Sequence, residues 1–402
     1  MPEPVIVAAT RSPIGRARKG SLASVRPDDL AAAVVRAVVE RVPALDPAEV
    51  ADVVIGCGRP EGAHGNNIAR VVAVLAGLEH SPGVTVNRYC SSSLQTIRMA
   101  EHAIRAGDGD VYVAGGVECV SWYGVASFDA PDEPNPRFDT ARARTARRSG
   151  GGEPAWREPE GLPDMYIGMG QTAENVRELE GITREELDGF SLRSHRRAVA
   201  AQRNGFFDRE ITPIELPDGT VVRTDDGPRA DTTLERLADL APVFRVGGAV
   251  TAGNSCALND GAAAVVVMSE RRASELGITP LARIVSSAVS ALHPEIMGLG
   301  PVEASRSALK KAGLSIDEID LVEINEAFAA QVIPSARRLG VADERLNAYG
   351  GAIALGHPFG MTGARIMTTM INGLSGSGGR YGLETMCVGG GQGMAMVVER
   401  LS

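Results

Sequence analysis

Five cysteines in 402 residues are too few, and odd in number, to staple the chain with disulfides. They stand at positions 57, 90, 119, 256 and 387, without the close pairing that a zinc site needs. Aromatic residues make up 4% of the chain and there are six histidines, so each histidine in an unusual setting carries weight. No apolar run reaches membrane-spanning length, and Met1 leads almost directly into Val5-Ile6-Val7-Ala8-Ala9 without a signal peptide or basic presequence. Neither a membrane nor a targeting address is indicated, and cytoplasm is the expected compartment. A net charge of −9 argues against nucleic acid as a partner. The one dense basic run, Arg137, Arg142, Arg144, Arg147 and Arg148, reads either as a phosphate patch or as a solvated loop.

What the chain does have is 44% hydrophobic residues over a length that suits two or three domains. Short apolar runs alternate with helical patterns in both halves, which points to α/β layering. Strands are expected at Val5–Ala9, Val53–Gly56, Val84–Asn87, Val111–Gly115 and Ala262–Met268. In the second half they are expected at Leu281–Ser287, Leu321–Ile324, the Ala348–Leu355 region, Thr385–Val388 and Met394–Val398. The stretch from Gly109 to Glu118 repeats in layout the stretch from Gly379 to Gly390, each a strand that follows a helix and ends in glycines. Between about 121 and 247 the texture changes. Residues 129–164 are rich in Pro, Gly, Asp and Arg and read as a long loop. Residues 172–205 read as helices, opened by the capping box Thr183-Arg184-Glu185-Glu186.

Four segments contain the residue types of a nucleophilic site. In Val84-Thr85-Val86-Asn87-Arg88-Tyr89-Cys90-Ser91-Ser92-Ser93-Leu94, a strand ends in a cysteine and opens into a helix with Leu94, Ile97, Ala100 and Ile104 on one face. The serines are expected to cap that helix, and its N-terminus is expected to favour the Cys90 thiolate. A buried structural cysteine is the competing reading. His357, in Gly356-His357-Pro358-Phe359-Gly360, sits at a glycine-rich turn before a helix and is the natural base for a thiol. Cys387 precedes Gly389-Gly390-Gly391, whose N–H groups suit an oxyanion, although a simple glycine turn would look the same. Asn325 and Glu326 interrupt an apolar strand-to-helix junction, where burial costs free energy unless they are hydrogen-bonded; a cap role for Asn325 competes. His195 reads as a structural residue on a basic helix face, and His64 and His102 have no evident partner.

Taken together, these blocks closely resemble the thiolase family over essentially the whole chain. The opening Val5–Gly15 and the segments Thr251-Ala252-Gly253-Asn254 and Leu258-Asn259-Asp260-Gly261 belong to the same likeness. The resemblance implies an α/β fold of two similar βαβαβαββ halves in a five-layered α/β/α/β/α body with an inserted loop domain. The halves would take residues 1–120 with 248–272 and residues 273–402, and the insertion 121–247. It implies that Cys90 accepts an acyl group, that His357 activates it and that Cys387 is the acid/base at the α-carbon of acetyl-CoA. Asn325 would hold a water that forms one oxyanion hole with His357, and the N–H groups of Cys90 and Gly389 would form the other. Coenzyme A, as co-substrate and with no permanent cofactor or metal, would touch Arg229, Ala252, Cys256, Met297, Ala327 and Phe328. Substrates would be 3-ketoacyl-CoA, acetyl-CoA and CoA, and the assembly a homodimer or homotetramer.

Two departures bear on substrate. Family members specialised for acetoacetyl-CoA tend to carry histidine where this chain has Gly168, which tilts the expectation to a degradative enzyme taking longer 3-ketoacyl chains. Cys256 replaces a usual serine on the pantetheine arm, and a thiol donates more weakly than a hydroxyl. The first alternative is an acetyl-CoA C-acetyltransferase (acetoacetyl-CoA thiolase) working in the condensation direction. A decarboxylating condensing enzyme of the ketoacyl-synthase type and a non-catalytic acyl-CoA or lipid binder are further ones, and the complete set of Cys90, His357, Cys387 and Asn325 argues against those two.

Overall fold

The computed structural model describes residues 2–124 and 134–402. Residues 129–133 of the expected loop fall outside that range. In the first half, the strand order is Gly83–Val86, Asp52–Gly56, Val111–Cys119, Asn259–Ser269, Pro4–Arg11. In the second half, Leu321–Ile324, Tyr381–Val388, Gln392–Arg400 and Ala282–Ala291 follow one another. The matching strands pair alike. Val111–Cys119 runs parallel to Asp52–Gly56 and antiparallel to Asn259–Ser269, and Tyr381–Val388 runs parallel to Leu321–Ile324 and antiparallel to Gln392–Arg400. The halves join edge to edge where Val5 and Ile6 pair with Arg283 and Ala282.

Strict alternation along the strands makes the layers. Val111 and Val113 pack outward with the helices Pro27–Glu40 and Ile68–Leu75, while Tyr112 and Ala114 pack inward. In the second half, Met394, Met396 and Val398 point inward, and Ala395 and Val397 point outward to the helices Gly300–Ala312 and Ala329–Leu339. Both faces of both sheets are therefore buried, as continuous apolar strands require. The inward faces share one central layer, the helices Ser92–Ala106 and Thr362–Ser377, which pack on each other. The order is thus helix, sheet, helix, sheet, helix. A Cβ at Gly363 would collide with the Leu94 backbone, so glycine is what lets the two central helices touch at their N-termini.

Three expectations change here. The Ala348–Leu355 region is not a strand: only Leu346 bridges to Val322, and Ala352–Leu355 is a helical turn. Asn347 turns left-handed (φ 48°), and its amide replaces the lost ladder by exchanging hydrogen bonds with the N–H and C=O of Ile324, both at 2.9 Å. The 129–164 stretch contains an 11-residue helix, Asp139–Ser149, with part of the arginine run on it. Those arginines are neither solvated nor available to phosphate throughout, since Arg144 pairs with Glu295 at 2.6 Å and Arg148 with Glu178 at 2.8 Å. Finally, no serine side chain caps the helix after Cys90. Ser91 and Ser92 donate to the carbonyls of Arg88 and Tyr89, and Ser93 Oγ accepts from Ala364 N of the other central helix at 2.9 Å. The capping box at Thr183 and Glu186 forms as expected.

Candidate active site

The two central helix N-termini place the nucleophile and the histidine. Strand Gly83–Val86 leads through Asn87, whose side chain accepts from Tyr89 N at 2.8 Å, into a turn with Tyr89 left-handed (φ 44°). Cys90 follows at the corner, 9% exposed. The N–H groups of Gly389 and of Cys90 itself face its thiol. Burial outweighs these donors and pushes the thiol up to about 12. Cys90 therefore rests as a thiol, contrary to the expectation of a helix-stabilised thiolate, and reaction needs a base.

His357 is positioned by Gly356, whose φ of 112° and contact with the Asn259 amide leave no room for a side chain. Asn259 accepts from His357 N at 3.1 Å and donates to the Gly15 carbonyl at 3.0 Å. The imidazole is buried, and burial, with Arg365 nearby, pushes it down to about 3. Its tautomer follows from one hydroxyl proton. Thr362 Oγ1 lies 2.7 Å from His357 Nδ1 and donates to the Pro358 carbonyl at 2.8 Å, so it accepts from Nδ1–H. Nε2 is left with its lone pair, 3.2 Å from the Asn325 side-chain nitrogen, which donates to it.

Asn325 is fixed at both ends of its backbone: its N–H donates to the Thr385 carbonyl at 3.0 Å, and its carbonyl accepts from Gln331 at 2.5 Å. Its side-chain oxygen is buried with no protein partner among the described residues, an acceptor open to a further donor. Glu326 is satisfied by Ser194, Asn347 and the Ile353 N–H, which makes its burial tolerable. Cys387 is fully buried at the end of Tyr381–Val388, and burial with the neighbouring Cys90 and Cys256 thiols raises it well above its usual range. The buried thiols of Cys90, Cys256 and Cys387 thus neighbour one another, and the buried imidazole is joined to Asn325.

The expected coenzyme A contacts divide into two groups. Arg229 and Ala252 line a cavity of about 560 Å³, together with Arg16 and Arg236. The arginines give this acidic protein a locally basic cleft, suited to phosphate. Met297 and Ala327 pack against Cys387, with Phe328 beside them. Cys256 links the groups, its N–H donating to the Ala327 carbonyl at 3.0 Å while neighbouring Ser255 and Ala257 line the cavity.

Three residues escaped sequence reasoning. Gln392 donates to the Gly389 carbonyl at 3.1 Å and accepts from Arg88 at 2.8 Å, so the pair holds the peptide that follows the Gly389 N–H facing Cys90. Gln392 ends the glycine run, and a lone amide there was the only signal. His195 also lines the cleft and accepts the Arg229 N–H at 3.2 Å, and burial and Arg229 push it down to about 4. Of the other histidines, His64 accepts from Cys119 N at 2.9 Å, and His102 is exposed.

The family models for the thiolase N-terminal and C-terminal domains match residues 4–271 and 278–400. The chain belongs to the thiolase family. It is 44% identical to the 3-oxoadipyl-CoA/3-oxo-5,6-dehydrosuberyl-CoA thiolase of Escherichia coli K12 over all of both chains. It is 42% identical to a 3-ketoacyl-CoA thiolase of Bacillus subtilis over 99% of this chain and all of that one. The crystal structure of the Bacillus anthracis acetyl-CoA acetyltransferase covers all of this chain and 99% of its own, with a TM-score of 0.88 at 41% identity. As a member of this family the protein is an acyltransferase, and the two-half α/β thiolase fold is the one found.

Proposed function

We propose that this thiolase cleaves 3-ketoacyl-CoA with CoA, giving acetyl-CoA and a shortened acyl-CoA, in fatty-acid or related β-oxidation. His357 Nε2 takes the Cys90 proton as sulfur attacks the keto carbon. The alkoxide forms against the N–H groups of Cys90 and Gly389. Its collapse breaks the carbon–carbon bond and leaves the acyl group on Cys90. The departing acetyl-CoA enolate is held by protonated His357 and a water on Asn325, and Cys387 supplies the proton to its α-carbon. Cys387, left as thiolate, then takes the CoA thiol proton; the CoA sulfur attacks the Cys90 thioester, and Cys90 leaves and regains its proton from His357. The observation that carries this reading is the convergence of the Gly389 and Cys90 N–H groups on a buried thiol with a second thiol, Cys387, beside it.

The pantetheine arm follows from the cleft at Arg229 and Ala252 past Cys256 to Met297, Ala327 and Phe328, and the described residues between 121 and 247 cover the substrate as a unit inserted in the first half. Acyl-CoA followed by quenching and peptide mass spectrometry tests the scheme. Label on Cys90 is expected, and label on Cys387 or on neither sinks the assignment. The likeness to an acetyl-CoA acetyltransferase favours a second reading, synthesis of acetoacetyl-CoA by condensation. Thiolysis rates over 3-ketoacyl chains of increasing length, with the condensation rate alongside, separate the two. Gly168 favours the longer chains.

The first half also leaves an apolar face uncovered. Val71, Val74 and Leu75 on one helix, Val84 on the edge strand and Tyr89 beside Cys90 are all exposed. We assign it to self-association as a homodimer or homotetramer in the cytoplasm; no described helix is long and apolar enough to cross a membrane. Sedimentation of V74D against the unaltered chain tests this, with dissociation expected and an unchanged mass counting against it.

A further inference from the structure

Glu118 is fully buried at the end of strand Val111–Cys119, outside the motifs that the proposed reaction uses. Five donors converge on its carboxylate. Oε2 accepts from the backbone N–H of Gly58 at 2.7 Å and of Gly360 at 2.8 Å. Oε1 accepts from Arg59 N at 3.3 Å, from the Cys57 thiol at 3.4 Å and from the Tyr123 hydroxyl. Gly360 belongs to the turn that carries His357, and Phe359 within it stands edge-on to the imidazole, with ring centroids 4.9 Å apart. The turn has no slack on its other side, because a Cβ at Gly116 would collide with the Gly360 carbonyl. One buried carboxylate thus ties the turn of the second half to two separate stretches of the first half.

We infer that Glu118 is a positioning residue for the acid–base histidine, fixing the Pro358-Phe359-Gly360 turn so that Nε2 is presented toward Cys90. The inference rests on the reading of His357 as base. Three of the five, the N–H groups of Gly58, Gly360 and Arg59, can only donate, and between them they engage both carboxylate oxygens. Glutamine has the same shape but must turn its NH₂ toward either the Gly58–Gly360 pair or the Arg59–Cys57–Tyr123 trio. Buried donors lose their acceptor either way.

The test uses the full chain with E118Q, Y123F and H357A. Three quantities are measured: thiolysis kcat and KM for CoA, the rate of Cys90 alkylation by iodoacetamide, and the melting temperature. E118Q is expected to lower kcat by about tenfold or more while KM for CoA stays within about twofold, and to slow Cys90 alkylation as H357A does. Y123F removes one donor of five and is expected to lower kcat by a smaller factor at an unchanged melting temperature. If E118Q fails to fold, Y123F decides: kcat equal to the unaltered protein overturns the proposal. A folded E118Q with normal kcat and alkylation overturns it too, as does a loss of activity that matches only the loss of folded protein. The reading beneath it fails separately, if H357A leaves turnover and alkylation intact.

Discussion

Ser93 Oγ accepts the backbone N–H of Ala364 at 2.9 Å, so a side chain from the helix that follows Cys90 caps the helix that follows His357. Nucleophile and base are held in register by a bond between the two helix ends that carry them. S93A is expected to cost about 1 kcal/mol of stability, the usual loss for a cap, and to lower kcat as the ends loosen. Differential scanning calorimetry beside thiolysis kinetics checks this. G363A, which drives a methyl into the Leu94 backbone, is expected to do more damage on both counts.

Thr362 keeps the imidazole in the tautomer with an unprotonated Nε2. T362V has nearly the same shape but no oxygen, and it strands a buried Nδ1–H at a cost of about 1–3 kcal/mol. Turnover is expected to fall about tenfold or more, with KM for CoA little changed. An unaltered kcat in T362V would refute the tautomer argument.

The resting site is neutral over a wide range, with His357 down at about 3 and Cys90 up at about 12. Between those limits neither group changes charge in the free enzyme. Plots of kcat/KM for thiolysis are therefore expected to lack a limb near pH 6.5. Alkylation of Cys90 is expected to lack the usual rise near pH 8.5. Either inflection, once the ionisation of CoA itself is subtracted, would count against the neutral pair.

Glu323 and Glu384 sit side by side on neighbouring parallel strands, fully buried. Burial raises Glu384 well above the carboxylate range and brings Glu323 to about 8. The folded state thus favours the protonated acid more than the unfolded chain does. Stability from this source is present below about pH 4.5 and is lost as pH rises toward 8. E323Q carries no charge, so its melting temperature is expected to gain on the unaltered protein by more at pH 8.5 than at pH 5. A gap independent of pH would show that Arg365 keeps Glu323 ionised throughout.

What was legible in the sequence was local and strongly patterned. Val53–Gly56, Val111–Gly115 and Thr385–Val388 lie within strands because apolar β-branched runs between glycines have few other uses. Cys90, His357 and Cys387 stood out because each ends an element beside glycines or serines. What was not legible depends on chain-distant partners. Nothing near Ser93 says that it caps a helix more than 270 residues later. Asn347 was hidden because a side chain, and not a strand, completes the ladder at Ile324. The charge state of Cys90 was misjudged from its helix end alone, since burial against the second half outweighs the terminus. Glu118 depends in the same way on a partner, Gly360, that lies more than 240 residues later.

The duplication has a consequence for the order of events in folding. Cys90 precedes the central helix of the first half, and His357 precedes the matching helix of the second. A chain that has built only its first half holds the nucleophile without His357, Cys387, Asn325 or Gly389. The base and the second thiol arrive only when the second half docks through Ser93, Gly363 and the short pairing of Val5 and Ile6 with Arg283 and Ala282. Enzymatic activity is therefore a late reporter of refolding, and its recovery lags behind that of the secondary structure.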